Sequence, residues 1–275
     1  MKLFKEIEFN SWNKLKSFLC ELNTDWCFRG QSDYKMDLVT TMDRIEIKNN
    51  NSEYKRDYES YMIREFKRHT EWHYNKPHLI SSNFQIVSLM QHHGAPTRLL
   101  DFTTSPYVAS FFAIDSSKDF CSIYAINYMD LQRSSHSLFV SKWDDDSDQV
   151  NEYKYSDGLI TDNVFDKLIL GERQFPFVEL VLPFSFFERL IRQQGVFLCQ
   201  GDINSNFETN LLSNFSITKK TDYSPMYKIK IPIKWKMEIL KDLNRMNINH
   251  STLFPDLDGF FKSLKNTFDV YSTKE

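Results

Sequence analysis

Glycine is scarce in this chain, at 7 of 275 residues, and none falls into the patterns that cradle phosphates or present a serine nucleophile. GxxxxGK[ST], GxGxxG behind a strand and GxSxG are all missing, which removes the commonest phosphate-cradling and serine-hydrolase chemistries. Cysteine is equally sparse. Cys20, Cys27, Cys121 and Cys199 lie far apart with no CxxC pair, so they read as reduced structural thiols and not as a secreted disulfide framework. No stretch approaches the roughly 20 apolar residues of a membrane span, and the N-terminal MKLFKEIEFN breaks its apolar residues with charge, unlike a signal peptide. The expectation is a soluble, cytoplasmic chain with no membrane partner. A balance of 34 Lys and Arg against 37 Asp and Glu gives a net charge of −3, which provides no global basic field to hold nucleic acid.

What is abundant is aromatic and apolar. Hydrophobic residues make up 41% of the chain, with 24 Phe and 13 Tyr, enough for a large core filled by rings. Trp12, Leu15, Phe18 and Leu19 recur at helical spacing after Ser11, a good N-cap, and Asp25–Arg29 reads as a short strand closed by Gly30. That places Arg29 at a strand end. Asn49–Asn51 reads as a loop, and Tyr54, Tyr58, Tyr61, Met62 and Phe66 trace one face of a long helix. A second helix runs from Asn83 and stops at Gly94 and Pro96, and Thr97–Phe102 follows as a strand. Thr104-Ser105-Pro106 starts a helix with a hydroxyl cap and a first-turn proline, with Val108, Ala109, Phe112 and Ala113 toward the core. Cys121–Tyr128 is a strand, and Asp144–Asp148 a solvated acidic loop. Lys228–Ile233 alternates like an edge strand that tolerates Pro232, with helices through Leu240 and from Pro255. No repeat and no Pro/Gly/Ser linker divides the chain. The expected fold is α+β: one domain over 1–275 with a mixed central sheet and surrounding helices, in which 221–275 forms a C-terminal strand-helix-helix extension packed on the core.

His69 and His73 share a helix face, but Glu71 stands one position late for a zinc-protease HExxH, so the pair reads as a surface face. Two other stretches concentrate polar groups beside apolar structure. One is Phe28-Arg29-Gly30-Gln31; the other runs from Gln91 through His92, His93, Gly94, Pro96, Thr97, Arg98 and Asp101 to Ser105. Together they resemble the FRG family, named for Phe-Arg-Gly and carrying a QHxGxPTRLLD segment before a helix that ends in FFA. Arg189–Phe197 and Ser251–Leu257 add further agreement along the chain.

The layout is also similar, more loosely, to that of ADP-ribosyltransferases. That similarity implies an arginine on the phosphate or ribose of NAD, a hydroxyl-rich segment shaping the nicotinamide pocket and a carboxylate supporting an oxocarbenium-like transition state. Arg29 and Thr103-Thr104-Ser105 match the first two roles, and Glu188 or Glu172 would have to supply the third. Gln193, at the prominent polar position of the later stretch, orients but supplies no charge. The resemblance thus implies an NAD- or nucleotide-binding domain that transfers ADP-ribose to a macromolecular acceptor, nucleic acid included, or hydrolyses NAD, as an effector in bacterial conflict or stress. NAD is the expected substrate, and no metal is expected. Arg29, His92, Glu188 and Gln193 form the expected catalytic set. Gly30, Gln31, His93, Thr97, Arg98, Asp101, Thr103, Thr104 and Ser105 form the expected ligand-binding set.

Blander roles stand beside these. Arg29 fits a structural ion pair, His92 and His93 fit a helix C-terminus, and Thr104 and Ser105 fit a helix cap. Strand alternation puts Arg98 and Asp101 on opposite faces, so one of the two is expected to line the pocket. Two further readings remain open: a metal-dependent hydrolase or nuclease holding an ion on His92, His93 and Asp101, and a non-enzymatic module clamping a phosphate or carboxylate with Arg29 and Arg98.

Overall fold

The computed structural model describes residues 3–45, 54–73, 82–142, 160–172, 174–182, 188–215 and 224–272. The asparagine loop at 49–51, the acidic run at 144–148 and the side chain of His73 fall outside the description. In chain order the elements are β1 (Lys5–Glu8), α1 (Trp12–Glu21), β2 (Trp26–Gln31), α2 (Tyr54–His73), α3 (Asn83–His92), β3 (Leu99–Thr103), α4 (Pro106–Ile114), β4 (Phe120–Asn127) and α5 (Tyr128–Lys142). They continue with α6 (Asp162–Val164) and one π turn (Phe165–Ile169), β5 (Val178–Val181), α7 (Glu188–Arg192), β6 (Gly195–Gln200) and α8 (Phe207–Phe215). Last come β7 (Met226–Pro232), a 3-10 turn (Ile233–Trp235), α9 (Lys236–Arg245), α10 (His250–Leu253) and α11 (Leu257–Ser272).

Side-chain oxygens fix the helix starts. Ser11, Ser82 and Ser105 each sit in extended backbone and accept an amide of the first turn, from Lys14, Gln85 and Val108 respectively. Each satisfies one of the donors that a helix leaves orphaned at its N-terminus.

The strands form a mixed α+β architecture: one sheet in the order β1-β7-β4-β2-β3-β6-β5, flanked by helices. β1 and β7 run parallel, and every other neighbouring pair is antiparallel. Pairing is uneven. β2 meets β4 along its whole length, from Trp26 to Gln31, and β3 meets β6 from Leu99 to Thr103. Between β2 and β3 the register holds only at Phe28 and Thr103. Two well-paired halves are therefore joined at one point, and past it β2 and β3 part.

Alternation along the strands sends apolar side chains to both faces. Phe28, Ile123, Ala125, Ile229 and Ile231 pack under α1, α4 and α9 with Trp12, Leu15, Val108 and Leu243. Cys27, Tyr124, Ile126, Leu100 and Leu198 meet Phe207 and Leu211 of α8. A third cluster of Phe84, Val87, Leu99, Phe139, Phe165, Phe177 and Phe197 joins α3, α5 and the π turn to β3 and β6. Each fully buried phenylalanine contributes on the order of 2–3 kcal/mol of transfer free energy.

Two sequence expectations are corrected. β2 does not close at Gly30 but continues to Gln31, so Arg29 is a mid-strand residue. Gly30 is there because α4 lies on the strand: a Cβ would stand 2.1 Å from the Ala109 oxygen and 2.5 Å from the Ala113 nitrogen. β7 is no edge strand either. It lies between β1 and β4, and Pro232 is tolerated because it is the last residue. The edge next to it is the short, charge-rich β1, which guards the sheet against pairing with another chain. Gly195-Val196-Phe197 begins β6. No helix among the described residues is long and apolar enough to cross a membrane.

Candidate functional site

Where β2 and β3 part there is a cavity of about 400 Å³, within the size range of small-molecule sites. β2 contributes Phe28, Arg29, Gly30 and Gln31, and β3 contributes Asp101, Phe102 and Thr103. The end of α3 adds Gln91 and His92, α4 adds Phe112, and α7 with its following turn adds Arg189, Leu190 and Gln193.

Arg29 is the most unusual group in it. Its Nη1 donates to the Asp101 carbonyl at 2.6 Å, while its Nε has no accessible surface and no partner among the described residues. Burial pushes its pKa down, Asp101 pulls it up, Arg44 pushes it down again and Tyr124 raises it slightly. An arginine remains protonated through shifts of this direction, so the wall carries a positive charge whose ion-pair geometry is unfilled.

The Asp101 carboxylate is held in place by the segment that precedes it. Gln91 Nε2 donates to Asp101 Oδ2 at 2.9 Å, and the Thr97 hydroxyl donates to Gln91 Oε1. Thr97 is fixed in turn by its amide, which donates to Thr41 Oγ1 at 2.9 Å. Gly94, at φ +79°, makes the left-handed turn that folds the end of α3 back onto β3 and lets Gln91 reach both partners. One polar lattice therefore accounts for the Gln, Gly, Thr and Asp of the Gln91–Asp101 stretch.

A second lattice ties β3 to the turn after α7. The Thr103 hydroxyl donates to the Gln193 carbonyl at 2.7 Å, and the Thr104 amide donates to the Gln194 carbonyl at 3.0 Å. Gln194 adopts φ +47°, an unusual conformation for a residue with a side chain, which closes the turn tightly enough to present Gln193 to the cavity. Gln193 Nε2 donates to the Leu253 carbonyl at 3.1 Å, and the Arg189 guanidinium lies over the Phe254 ring at 4.7 Å. Burial lowers the His92 pKa first, the neighbouring His93 and Arg189 lower it further, and Asp101 raises it in part. The net downward shift favours the neutral imidazole.

The structure thus brings Arg29, Gly30, Gln31, His92, Asp101, Thr103 and Gln193 together, and leaves other expected site residues elsewhere. Arg98 is fully buried away from the cavity. Its Nε and Nη2 bind the Glu59 carboxylate at 2.8 and 2.5 Å, and its Nη1 binds the carbonyls of Ile169, Gln200 and Gly201, so its bonding is directed into the scaffold. Of Arg98 and Asp101, Asp101 is the one that lines the pocket. Glu188 points to solvent, with its side chain 65% exposed and paired to Arg192 at 2.7 Å one helical turn on. Glu172 is exposed and absent from the lining. Neither supplies the expected carboxylate. Ser105 caps α4, Thr104 is exposed outside the lining, and Thr97 acts from behind through Gln91. His93 stacks edge-on to His92 at 5.1 Å without reaching the cavity. Among the described residues no group of three or more His, Cys, Asp or Glu is placed to hold a metal ion, so His92, His93 and Asp101 do not form a ligand set.

Sequence reasoning also passed over residues that do line the cavity. Gln91 stood inside the recognised stretch, and its amide three positions before a helix-ending glycine was a usable signal. Arg189 and Leu190 lay beside Gln193 on a helical segment too short for periodicity to resolve. Phe112, expected to face the core, also lines the opening, as does Phe197.

No curated protein and no solved structure matches the chain. Residues 24–121 match the family model described as the FRG domain, a segment that holds the β2, α3, β3 and α4 walls of the cavity but not Arg189 or Gln193.

Proposed function

We propose that the cavity binds an anionic small molecule of the nucleotide class, with a phosphate on Arg29 and hydroxyl donors on the Asp101 carboxylate. The supporting observation is Arg29 itself, a guanidinium in the cavity wall that no carboxylate pairs within the described residues. A hydrogen bond from such a charged group to an oxyanion is worth about 1.5–3 kcal/mol. Arg189 places a second guanidinium on the same cavity, and Phe28, Phe102, Phe112 and Phe197 offer apolar surface for a base. The transferase mechanism assigned to Glu188 is not part of this reading, because that side chain faces solvent.

A second reading keeps NAD as substrate. Asp101 is the carboxylate of the lining, and cleavage of the nicotinamide–ribose bond needs one to stabilise positive charge on the ribose. Water would take the place of nicotinamide at the anomeric carbon, with release of one proton.

Titration calorimetry with NAD, ADP and pyrophosphate tests both. Wild-type protein is expected to bind at least one of them, and Arg29→Ala to weaken that binding by about tenfold to a hundredfold, the worth of a charge-assisted hydrogen bond, with its melting temperature little changed. Absence of binding to all three at millimolar concentration rejects the proposal. Chromatography of recovered NAD separates the readings: free nicotinamide supports hydrolysis, and intact NAD supports recognition alone.

A further inference from the structure

Arg189 and Gln193, the polar cavity residues that lie outside the matched segment, are both held by a short stretch near the C-terminus. The Leu253 carbonyl accepts the Gln193 side-chain amide at 3.1 Å, and the Phe254 ring lies 4.7 Å beneath the Arg189 guanidinium. Neither Leu253 nor Phe254 lines the cavity itself. Their own placement is strongly determined. Asn249 and Thr252 form a reciprocal capping box at the start of α10. The His250 Nε2 meets Asp115 Oδ1, at the end of α4, at 2.9 Å. The His250 ring stands edge-on to Phe111 at 5.0 Å, and Phe254 meets the cavity residue Phe112 at 6.0 Å. On the other side, Asp256 accepts the Gly259 amide at 2.7 Å, and α11 approaches so closely that a Cβ on Gly259 would stand 2.2 Å from the Phe254 oxygen.

We propose that Phe254 is a positioning residue for the anion site: its ring face holds the Arg189 guanidinium over the cavity, so ligand affinity depends on a residue that touches no ligand. The proposal rests on reading the cavity as an anion site. Arg189 is exposed, and a flexible cation in water gains little from an anion unless its orientation is set in advance. A ring face beneath the guanidinium does this without neutralising it, whereas a carboxylate partner would compete with the ligand. His250, Asp115 and Gly259 then act one step further back, by fixing where the ring stands.

The test compares Phe254→Leu, which keeps apolar bulk against Phe112 and His250 but removes the ring face, with Phe254→Tyr, which keeps it. Two quantities are measured on the full chain: the Arg189 Nε–H resonance, identified by its loss in Arg189→Lys, and the affinity for ADP by calorimetry. In Phe254→Leu the resonance is expected to move toward the position of a free arginine, and ADP binding to weaken by about threefold to thirtyfold, the span of a cation–π contact. Phe254→Tyr restores both. An unmoved Arg189 resonance in Phe254→Leu overturns the proposal, as does wild-type ADP affinity in that variant when Arg29→Ala has lost it. If wild-type protein binds no ADP, pyrophosphate or NAD, the anion-site reading falls, and the Arg189 resonance still decides whether Phe254 positions the guanidinium.

Discussion

Removing Glu59 separates the structural role of Arg98 from a ligand-binding one. Arg98 is fully buried, the Glu59 side chain is 4% exposed, and the two meet through a bidentate pair. Burial acts to lower the Arg98 pKa, but the charge and hydrogen bonds of Glu59 outweigh it, so the net shift is upward and the guanidinium is charged. Glu59→Ala leaves that charge in the core with the carbonyls of Ile169, Gln200 and Gly201 and the weaker pull of Asp202 as its remaining support. Breaking a buried pair from one side costs about 3–5 kcal/mol, a large part of a total stability of about 5–15 kcal/mol. At about 2 °C per kcal/mol for a chain of this size, the melting temperature falls by about 6–10 °C. Arg98→Met is expected to lose a comparable amount, since it strands the Glu59 carboxylate and three carbonyls. The double variant Glu59→Ala with Arg98→Met loses less than the sum of the two, because no unpaired charge remains. Urea denaturation of the four proteins gives the coupling directly. A loss below about 1 kcal/mol in Glu59→Ala would refute the reasoning, and so would an Arg98→Met protein of unchanged stability that binds ADP poorly.

Gly30→Ala places a methyl group against the backbone of α4, which has no side-chain rotation with which to yield. It is expected to cost about 1–3 kcal/mol or more, seen as an earlier urea midpoint, and to disturb the Arg29 side of the cavity; a variant as stable as wild type would show that α4 does not sit where described. His92 carries the pH dependence of the site. Its pKa is lowered in the folded chain, so the unfolded chain binds more protons just below the ordinary value of 6.5. Its contribution to stability is complete above that pH and is lost as the pH falls toward the folded pKa. An anion beside it shifts the balance back, so binding takes up protons and tightens on acidification. Calorimetry in two buffers of different ionisation enthalpy measures the uptake, and proton release on ADP binding would exclude His92 as a neighbour of the anion.

Local features of the fold were legible in the sequence, and non-local ones were not. Ser11 and Ser105 announce their helices because a cap acts over three residues. The breaks at Gly94 and Pro96 are equally local. By contrast, reading Gly30 as the end of β2 was reasonable from the chain alone, since the helix that demands a glycine there arrives some eighty residues later. β1 was missed because Lys5, Glu6 and Glu8 around a single isoleucine carry no apolar alternation, and their pairing with β7 spans most of the chain. Strand periodicity separated Arg98 from Asp101 correctly but could not say which face was solvent. Glu59, thirty-nine positions upstream on α2, settles that by claiming the arginine.

The recognised stretches therefore mix two kinds of residue whose roles differ although they stand side by side. Gly30, Thr97, Arg98 and Ser105 answer to the scaffold: helix approach, lattice, buried ion pair and cap. Arg29, Gln31 and Asp101 face the cavity, and Gln91 does both by fixing Asp101 while contributing to the wall. The matched segment is also not a self-sufficient layer of the sheet. It stops at Cys121, the second residue of β4, although β4 provides β2 with its full run of partners, and β3 pairs with β6, which lies entirely beyond the match. The opening between β2 and β3 exists because each strand is satisfied on its other side by one of those later strands. A cavity whose first wall lies inside the matched segment is thus held open by strands outside it, and closed by Arg189 and Gln193 under the control of Leu253 and Phe254.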